Sequence, residues 1–280
     1  MCLIAFAINA SARWPLVVAY NRDEFLDRPT LPLARWKTAS GQEIISGRDG
    51  RAGGTWLGMT PTGRVAFLTN VREPKNGPAK STRGELVTRW LEGCGGAEEF
   101  TAPLMEESAE GYSGFNLILG DLQRDTWTWL TNRASAPCPG WHAQALTAGV
   151  YGLSNASLDT PWPKTLELKR VLSAALLQAE TSEGLHGLLW PALASRGLTS
   201  LVDASEMDRR ASIEPALSSA FVDMPAQAYG TRSSTVLTVS RNQGVRLPAA
   251  ACRTEVHERS HTRESVDGTA VGFLMRSLIF

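Results

Sequence analysis

Cys2-Leu3-Ile4-Ala5-Phe6-Ala7-Ile8 is a run of apolar residues that stops at Asn9. It is too short for an amphipathic helix of ordinary length and reads as a strand. It also lacks a basic flank, so it does not fit a secretory leader, and it is far too short to span a bilayer. A turn over Ala10 to Pro15 leads into a second apolar run, Leu16 to Tyr20. The two make a hairpin whose far end is the polar cluster Asn21-Arg22-Asp23-Glu24.

Outward from this hairpin, strands are expected at Glu43 to Ser46, Thr55 to Met59 and Arg64 to Thr69, with glycines 47, 50, 53, 54, 58 and 63 between them. A helix is expected from Ser81 or Gly84 to Glu92, where Leu86, Val87, Trp90 and Leu91 recur at helical spacing, and a second near Glu98 to Glu110. Phe115 to Leu119 and Asp125 to Thr131 read as a hairpin that puts Trp127 and Trp129 on one face. The strongest helical stripe runs from Pro163 to Ala179, followed by a shorter one over Ser182 to Trp190. Ser234 to Ser240 and Gly244 to Leu247 read as a hairpin turning at Arg241 to Gln243; Leu198 to Tyr229 shows no clear pattern. Strands, then helices, then strands again imply layered packing with both sheet faces covered.

The chain has 280 residues, which one large domain over residues 1–280 can accommodate. Its apolar share of 43% and charged share of 20% are ordinary for a soluble globular protein. Twenty-eight Lys and Arg balance twenty-eight Asp and Glu, so no global field exists to hold a nucleic acid or an anionic bilayer. Neither a nucleic-acid partner nor a membrane span is expected, and the expected location is cytoplasmic. Cysteines 2, 94, 138 and 252 are too widely spaced for a CxxC motif and are read as reduced thiols. Nine tryptophans imply a large buried or pocket-lining aromatic surface.

Chemistry concentrates at Cys2. If Met1 is excised, one residue carries both a thiol, with an ordinary pKa of about 8.5, and an α-amine, at about 8, which is a nucleophile and a base near neutral pH. Against this stands the plain alternative of a small buried hydrophobe. Asn21, Arg22, Asp23 and Glu24 sit at the end of the partner strand, where they are either a solvated turn or a cluster satisfied by one another and a ligand. Asn70, Asn155 and Arg232 each follow an apolar strand end; their amide and guanidinium groups are the donors that an oxyanion or a substrate carbonyl needs, and equally common in turns. Asp49 to Met59 is glycine-rich but lacks the Lys-Ser/Thr of a phosphate loop. His257 and His261, with Cys252 nearby, have a metal-like spacing in a stretch crowded with Arg253, Glu255, Glu258 and Arg259, and a solvated charged segment is expected there, with no metal site and no cofactor. No GxSxG elbow is present.

Taken together and in order, Met1-Cys2, Asn21-Arg22-Asp23-Glu24-Phe25, Arg28-Pro29-Thr30, Ser46-Gly47-Arg48-Asp49, Gly53-Gly54-Thr55-Trp56-Leu57-Gly58, Leu68-Thr69-Asn70, Ser81-Thr82-Arg83-Gly84-Glu85-Leu86-Val87, Gly152-Leu153-Ser154-Asn155, Thr160-Pro161-Trp162-Pro163-Lys164 and Tyr229-Gly230-Thr231-Arg232-Ser233-Ser234-Thr235 resemble the NRDE (transport and Golgi organisation 2-like) family across nearly the whole chain. The resemblance implies an α/β fold: a four-layer αββα sandwich with largely antiparallel sheets, like that of the N-terminal-nucleophile (Ntn) hydrolases. It implies Cys2 as the candidate nucleophile. By analogy with cysteine amidases of that fold, Arg22, Asp23, Asn155 and Arg232 are candidate catalytic residues, with Asn70 and Asn21 as candidate oxyanion or substrate-binding groups. Arg22 and Asp23 are adjacent here, whereas those amidases separate the two. The implied substrate is a small-molecule linear acyl amide, with an apolar acyl group suggested by the tryptophans. The rival implication is a non-catalytic protein of haem trafficking or lipid handling, with an aromatic-lined cleft for haem or lipid.

Overall fold

The computed structural model describes residues 2–73, 81–133, 140–197, 218–241, 252–263 and 271–280. Fourteen strands form among them. β1 (Cys2–Ile8), β2 (Leu16–Phe25), β10 (Gly149–Leu153), β12 (Tyr229–Arg241), β13 (Cys252–Arg263) and β14 (Val271–Ile279) make one antiparallel sheet in the order β10-β1-β2-β12-β13-β14, with the short β11 (Asp223–Met224) on β12. The second sheet takes β3 (Thr30–Lys37), β4 (Glu43–Asp49), β5 (Leu57–Met59), β6 (Arg64–Asn70), β7 (Phe115–Asp121), β8 (Thr126–Thr131) and β9 (His142–Ala145) in sequence order, again antiparallel. The helices are α1 (Arg83–Glu92), α2 (Ala97–Glu106), α3 (Pro163–Gln178) and α4 (Ser182–Leu193). None among the described residues is long and apolar enough to cross a membrane.

The layers follow from the side-chain alternation of the strands. Ile4, Phe6 and Ile8 of β1 pack with Tyr20, Phe67, Ile118, Trp127 and Trp129 between the two sheets. Leu3, Ala5 and Ala7 point the other way, onto Leu168, Leu172, Leu185 and Leu189 of α3 and α4. Ala66, Leu68, Leu117 and Leu119 of the second sheet meet Leu86, Trp90 and Leu104 of α1 and α2. The order is therefore helices, sheet, sheet, helices: an αββα sandwich. A strand in such an inner sheet is buried on both faces, which is why β1 reads as an unbroken apolar run.

The structure departs from the sequence reading in the C-terminal part. The charged stretch from Arg253 to Arg259 is not a solvated segment but part of β13, paired along its length with β12 and β14. Its even positions face the other sheet, where Val256 joins the core and buried Glu258 accepts hydrogen bonds from the Leu33 backbone N–H at 2.8 Å and the Ser260 hydroxyl at 3.0 Å. Its odd positions face the helical layer, where the Arg259 guanidinium lies 4.3 Å from the Trp190 ring centre. Glu258 thus draws one donor from the other sheet, whereas Arg253 and Glu255 pair with each other two residues apart on the same strand. The expected strand Gly244 to Leu247, most of its turn, and Cys138 fall outside the described residues; Cys2, Cys94 and Cys252 are free thiols. The tryptophans are mostly core: Trp14, Trp90, Trp127, Trp129 and Trp190 are all buried in one of the three apolar layers.

Candidate active site

Residue 2 begins β1, directly opposite Arg22 on β2 in the antiparallel register. Side chains facing each other across such a pair project to the same side of the sheet. For Cys2 and Arg22 that side is the space between the sheets, where they help wall a cleft of about 270 Å³. Its other walls include Tyr20, Asp23, Glu24, Arg28, Asp49, Trp56, Leu68, Asn70 and Arg83.

Tyr20, on the same strand face as Arg22, places its hydroxyl 3.2 Å from the Cys2 sulfur and 2.8 Å from the Leu68 carbonyl oxygen. Burial, reinforced by the neighbouring Cys2, holds the phenol well above its ordinary pKa. The hydroxyl therefore remains a donor. Its single proton can satisfy Leu68 while the sulfur is a thiol, or turn to the sulfur when that is a thiolate. Behind the Cys2 side chain, the Ser154 hydroxyl donates to the Cys2 carbonyl oxygen at 2.8 Å, pinning the start of β1 to the end of β10.

Arg22 is 3% exposed. Its guanidinium lies 4.1 Å from the Trp56 ring centre, donates to the Thr30 hydroxyl at 3.1 Å, and comes within 3.9 Å of Glu24 and 4.0 Å of Asp49. Stacking and donation fix its plane, so it is a preorganised cation in the wall of the cleft that Cys2 also lines. Asp49 accepts from Arg28 at 2.7 Å and from the backbone N–H groups of Arg51 and Ala52 at 2.9 Å each. Burial would raise its pKa, but these donors, with Arg28, hold the carboxyl below its ordinary value. The glycine-rich Asp49-Gly50-Arg51-Ala52-Gly53-Gly54 segment is thus an Asp-anchored turn in the cleft wall. Gly54 lies so close to the α1 backbone that a Cβ would sit 2.5 Å from the Gly84 carbonyl carbon.

Asp23 also borders the cleft, but it alternates to the other face of β2 and turns its carboxylate to Thr231. Its carboxylate accepts from the Thr231 hydroxyl at 2.7 Å, and burial raises its pKa, opposed by Lys164, Thr231 and Arg22. Lys164, itself buried near the start of α3, has its pKa lowered by the same desolvation, with Asp23 and Cys2 acting in the opposite sense. Asn70 also lines the cleft. Asn155 does not: its amide donates to the Asn70 carbonyl oxygen at 2.8 Å, and its own side-chain oxygen receives the Ser154 hydroxyl at 3.2 Å. It braces the wall from one residue behind.

Two further candidates are not brought to the cleft. Arg232 is the residue left over where the β12–β2 register shifts between Thr231 and Ser233. The bulge turns its guanidinium onto the carbonyls of Phe25, Leu26 and Arg28, at 2.8, 2.8 and 3.1 Å, and away from Cys2. Asn21 points into the helical layer and donates to the carbonyls of Leu193 and Ala220 at 2.8 Å each, which is a packing role. Conversely, Tyr20, Ser154, Lys164 and Arg83 come to the site without having been singled out as site residues. Ser154, Lys164 and Arg83 do fall inside the quoted family motifs; Tyr20 looks only like the last apolar residue of a strand.

A model of the family described as "Transport and Golgi organisation 2" matches residues 1–249. The mouse Transport and Golgi organization 2 homolog is 35% identical over 257 residues, covering 86% of this chain and 90% of its own length. The human homolog is 35% identical over 254 residues, covering 85% and 88%, and the Drosophila melanogaster protein is 26% identical over 260 residues, also covering 85% and 88%. Among solved structures, a Caenorhabditis elegans N-acylethanolamine-hydrolyzing acid amidase ortholog superposes with a TM-score of 0.48 at 11% identity, covering 89% of this chain and 96% of that one. The C2A mutant of a conjugated bile acid hydrolase from Clostridium perfringens gives 0.46 at 7% identity, covering 97% and 96%.

Proposed function

Since the chain belongs to the Transport and Golgi organisation 2 family, whose motifs here surround the Cys2 cleft, we propose that it is a cysteine N-terminal-nucleophile amidohydrolase acting on a small linear acyl amide. One observation carries this reading: the thiol of residue 2 opens into a cleft, flanked by a fixed arginine and a hydroxyl donor 3.2 Å from its sulfur. A cysteine kept only for packing needs neither.

The reaction requires that Met1 be removed. The Cys2 α-amine then takes the thiol proton, and the thiolate attacks the substrate carbonyl carbon to form a tetrahedral oxyanion. Collapse breaks the C–N bond as the ammonium returns the proton to the leaving nitrogen, leaving a thioester. Water, deprotonated by the same amine, attacks the thioester and releases the acid and the free thiol. Tyr20 stabilises the thiolate, Arg22 holds negative charge at the reacting centre, and Asn70 is the nearest of the candidate amides to the oxyanion. Asp23, with Lys164 beside it, orients the amine from the other face of the sheet.

The lining argues for a polar substrate. Trp56 is the one tryptophan in the cleft wall, against Arg22, Arg28, Arg83, Glu24, Asp49 and Asn70. The apolar acyl preference inferred from composition therefore gives way to a small acyl amide bearing polar or charged groups. An aromatic-lined cleft for haem or a lipid chain has little support from the same lining.

The test is pre-steady-state kinetics with chromogenic acyl amides that differ in acyl polarity, using protein whose N-terminal mass has been measured. A burst of one equivalent, absent in Cys2→Ala and in a variant whose Met1 is retained, is expected. Activity surviving equally in either variant would remove Cys2 as an N-terminal nucleophile.

A further inference from the structure

The helical side of the first sheet holds a second cluster, in a different layer from the cleft. Glu255 and His257 are two residues apart on β13 and share the face toward α4, which carries His186. The rings of His186 and His257 have centres 4.5 Å apart at 63°. One ligand atom from each of His186, Glu255 and His257 can be chosen so that all lie within 4.8 Å of one another. We propose that these three side chains form a binding site for a zinc-class divalent cation.

The neighbours are arranged as such a site needs. The Arg253 guanidinium sits 3.1 Å from Oε1 of Glu255, which leaves Oε2 facing the imidazoles. That Oε2 is 3.3 Å from Nε2 of His257. In a tetrahedral zinc site with bonds of about 2.0–2.1 Å, ligand atoms stand about 3.4 Å apart, so this pair already has the required separation. On its other side, Nδ1 of His257 is 2.7 Å from the hydroxyl of Ser277, the residue directly opposite it on β14. The Ser277 hydroxyl can accept from Nδ1–H, which supports the tautomer that leaves Nε2 as a lone-pair donor when a metal is bound. His186 has the largest adjustment to make. Nε2 of His186 makes only a long 3.4 Å contact with the Thr238 hydroxyl, and the three ligand atoms, now within 4.8 Å of one another, must draw together around the ion. Two imidazoles and a carboxylate suit zinc, cobalt or nickel better than calcium or magnesium, which prefer all-oxygen sets. With the Glu255 and His257 side chains 9% and 13% exposed, solvent can supply the fourth ligand. The bound ion would clip α4 to β13.

The experiment uses the full chain stripped with chelator and titrated with Co²⁺, then with Zn²⁺ in competition. One equivalent of cobalt giving visible bands typical of nitrogen and oxygen ligation, displaced by zinc, is expected. Glu255→Gln, which keeps the side-chain shape, should abolish saturable binding, and Ser277→Ala, at an exposed position, should weaken it by about tenfold. Cooperative thermal unfolding in chelator confirms that each variant folds. The same titration with thiols alkylated should be unchanged. A sulfur-to-cobalt charge-transfer band, binding indifferent to Glu255→Gln, or no saturable binding by the wild type would each overturn the proposal.

Discussion

His261 makes acid pH destabilising by an amount that one substitution isolates. It lies on the helical face of β13, with Phe221 at 4.9 Å and Phe273 at 6.4 Å between ring centres, and its Nε2 is 2.9 Å from the Ser234 hydroxyl. Burial, together with the Arg259 and Arg196 guanidinium groups, lowers its pKa from 6.5 to about 4. The folded state therefore resists a proton that the unfolded chain accepts. Stability from this residue is complete above pH 6.5 and is lost as pH falls from 6.5 towards 4. At pH 5 the imbalance amounts to about 2 kcal/mol, against a few tenths at pH 7. Asp23 and Glu258, whose pKa values are raised by burial, act in the opposite direction over acid pH, so the wild-type profile alone mixes the effects. The difference from His261→Gln, which keeps a hydrogen-bonding group near Ser234, removes the shared contributions. Urea unfolding at pH 7 and pH 5 should show the wild type losing about 2 kcal/mol more than the variant. Equal losses in the two proteins would show that His261 is not held neutral by its surroundings.

Tyr20→Phe removes the donor at the Cys2 sulfur and should slow alkylation of Cys2 by iodoacetamide at fixed pH by about tenfold, the equivalent of one charge-assisted hydrogen bond; an unchanged rate, followed by mass spectrometry, would exclude this role. Asn21→Ala should destabilise the protein by about 2–4 kcal/mol in urea, because two buried carbonyls lose their shared donor, while the Cys2 alkylation rate stays within about twofold. A large loss of alkylation without loss of stability would instead put Asn21 in the site. Gly54→Ala should lower stability by at least about 2 kcal/mol, since its Cβ would meet α1 backbone at 2.5 Å and no side-chain rotation relieves that. A neutral result in thermal unfolding would mean that the wall formed by this turn and α1 yields freely.

Elements whose burial leaves a one-dimensional trace were readable before the structure. The unbroken apolar run of β1 and the stripe of α3 are direct imprints of layers that cover them. β3 left no such trace, because Pro32 interrupts its alternation and one flank is exposed. β13 read as its opposite: Glu255 and Glu258 are satisfied in part by Arg253 and Ser260 on the same strand, but the Ser277 contact to His257 and the Leu33 contact to Glu258 exist only once the strand is paired and the sheets are packed. Composition misled in the same way, since counting tryptophans cannot distinguish a core layer from a cleft wall.

The site shows the same division at the level of single side chains. Hairpin register alone put Cys2 beside Arg22, and nothing in the sequence placed Arg232, because a bulge is one unpaired residue and shifts every later side chain relative to its partner strand. The adjacency of Arg22 and Asp23 also acquires a meaning from strand geometry. Neighbours on a strand project to opposite faces. Arg22 accordingly shares the cleft with the Cys2 sulfur, whereas Asp23 stands on the helical side with Thr231 and near Lys164. The backbone nitrogen of residue 2 lies in the plane of the sheet between those two faces. An arginine on the thiol's side of the sheet and a carboxylate on the opposite side can thus be supplied by two consecutive residues. Separation along the chain is not needed when the strand itself separates them in space.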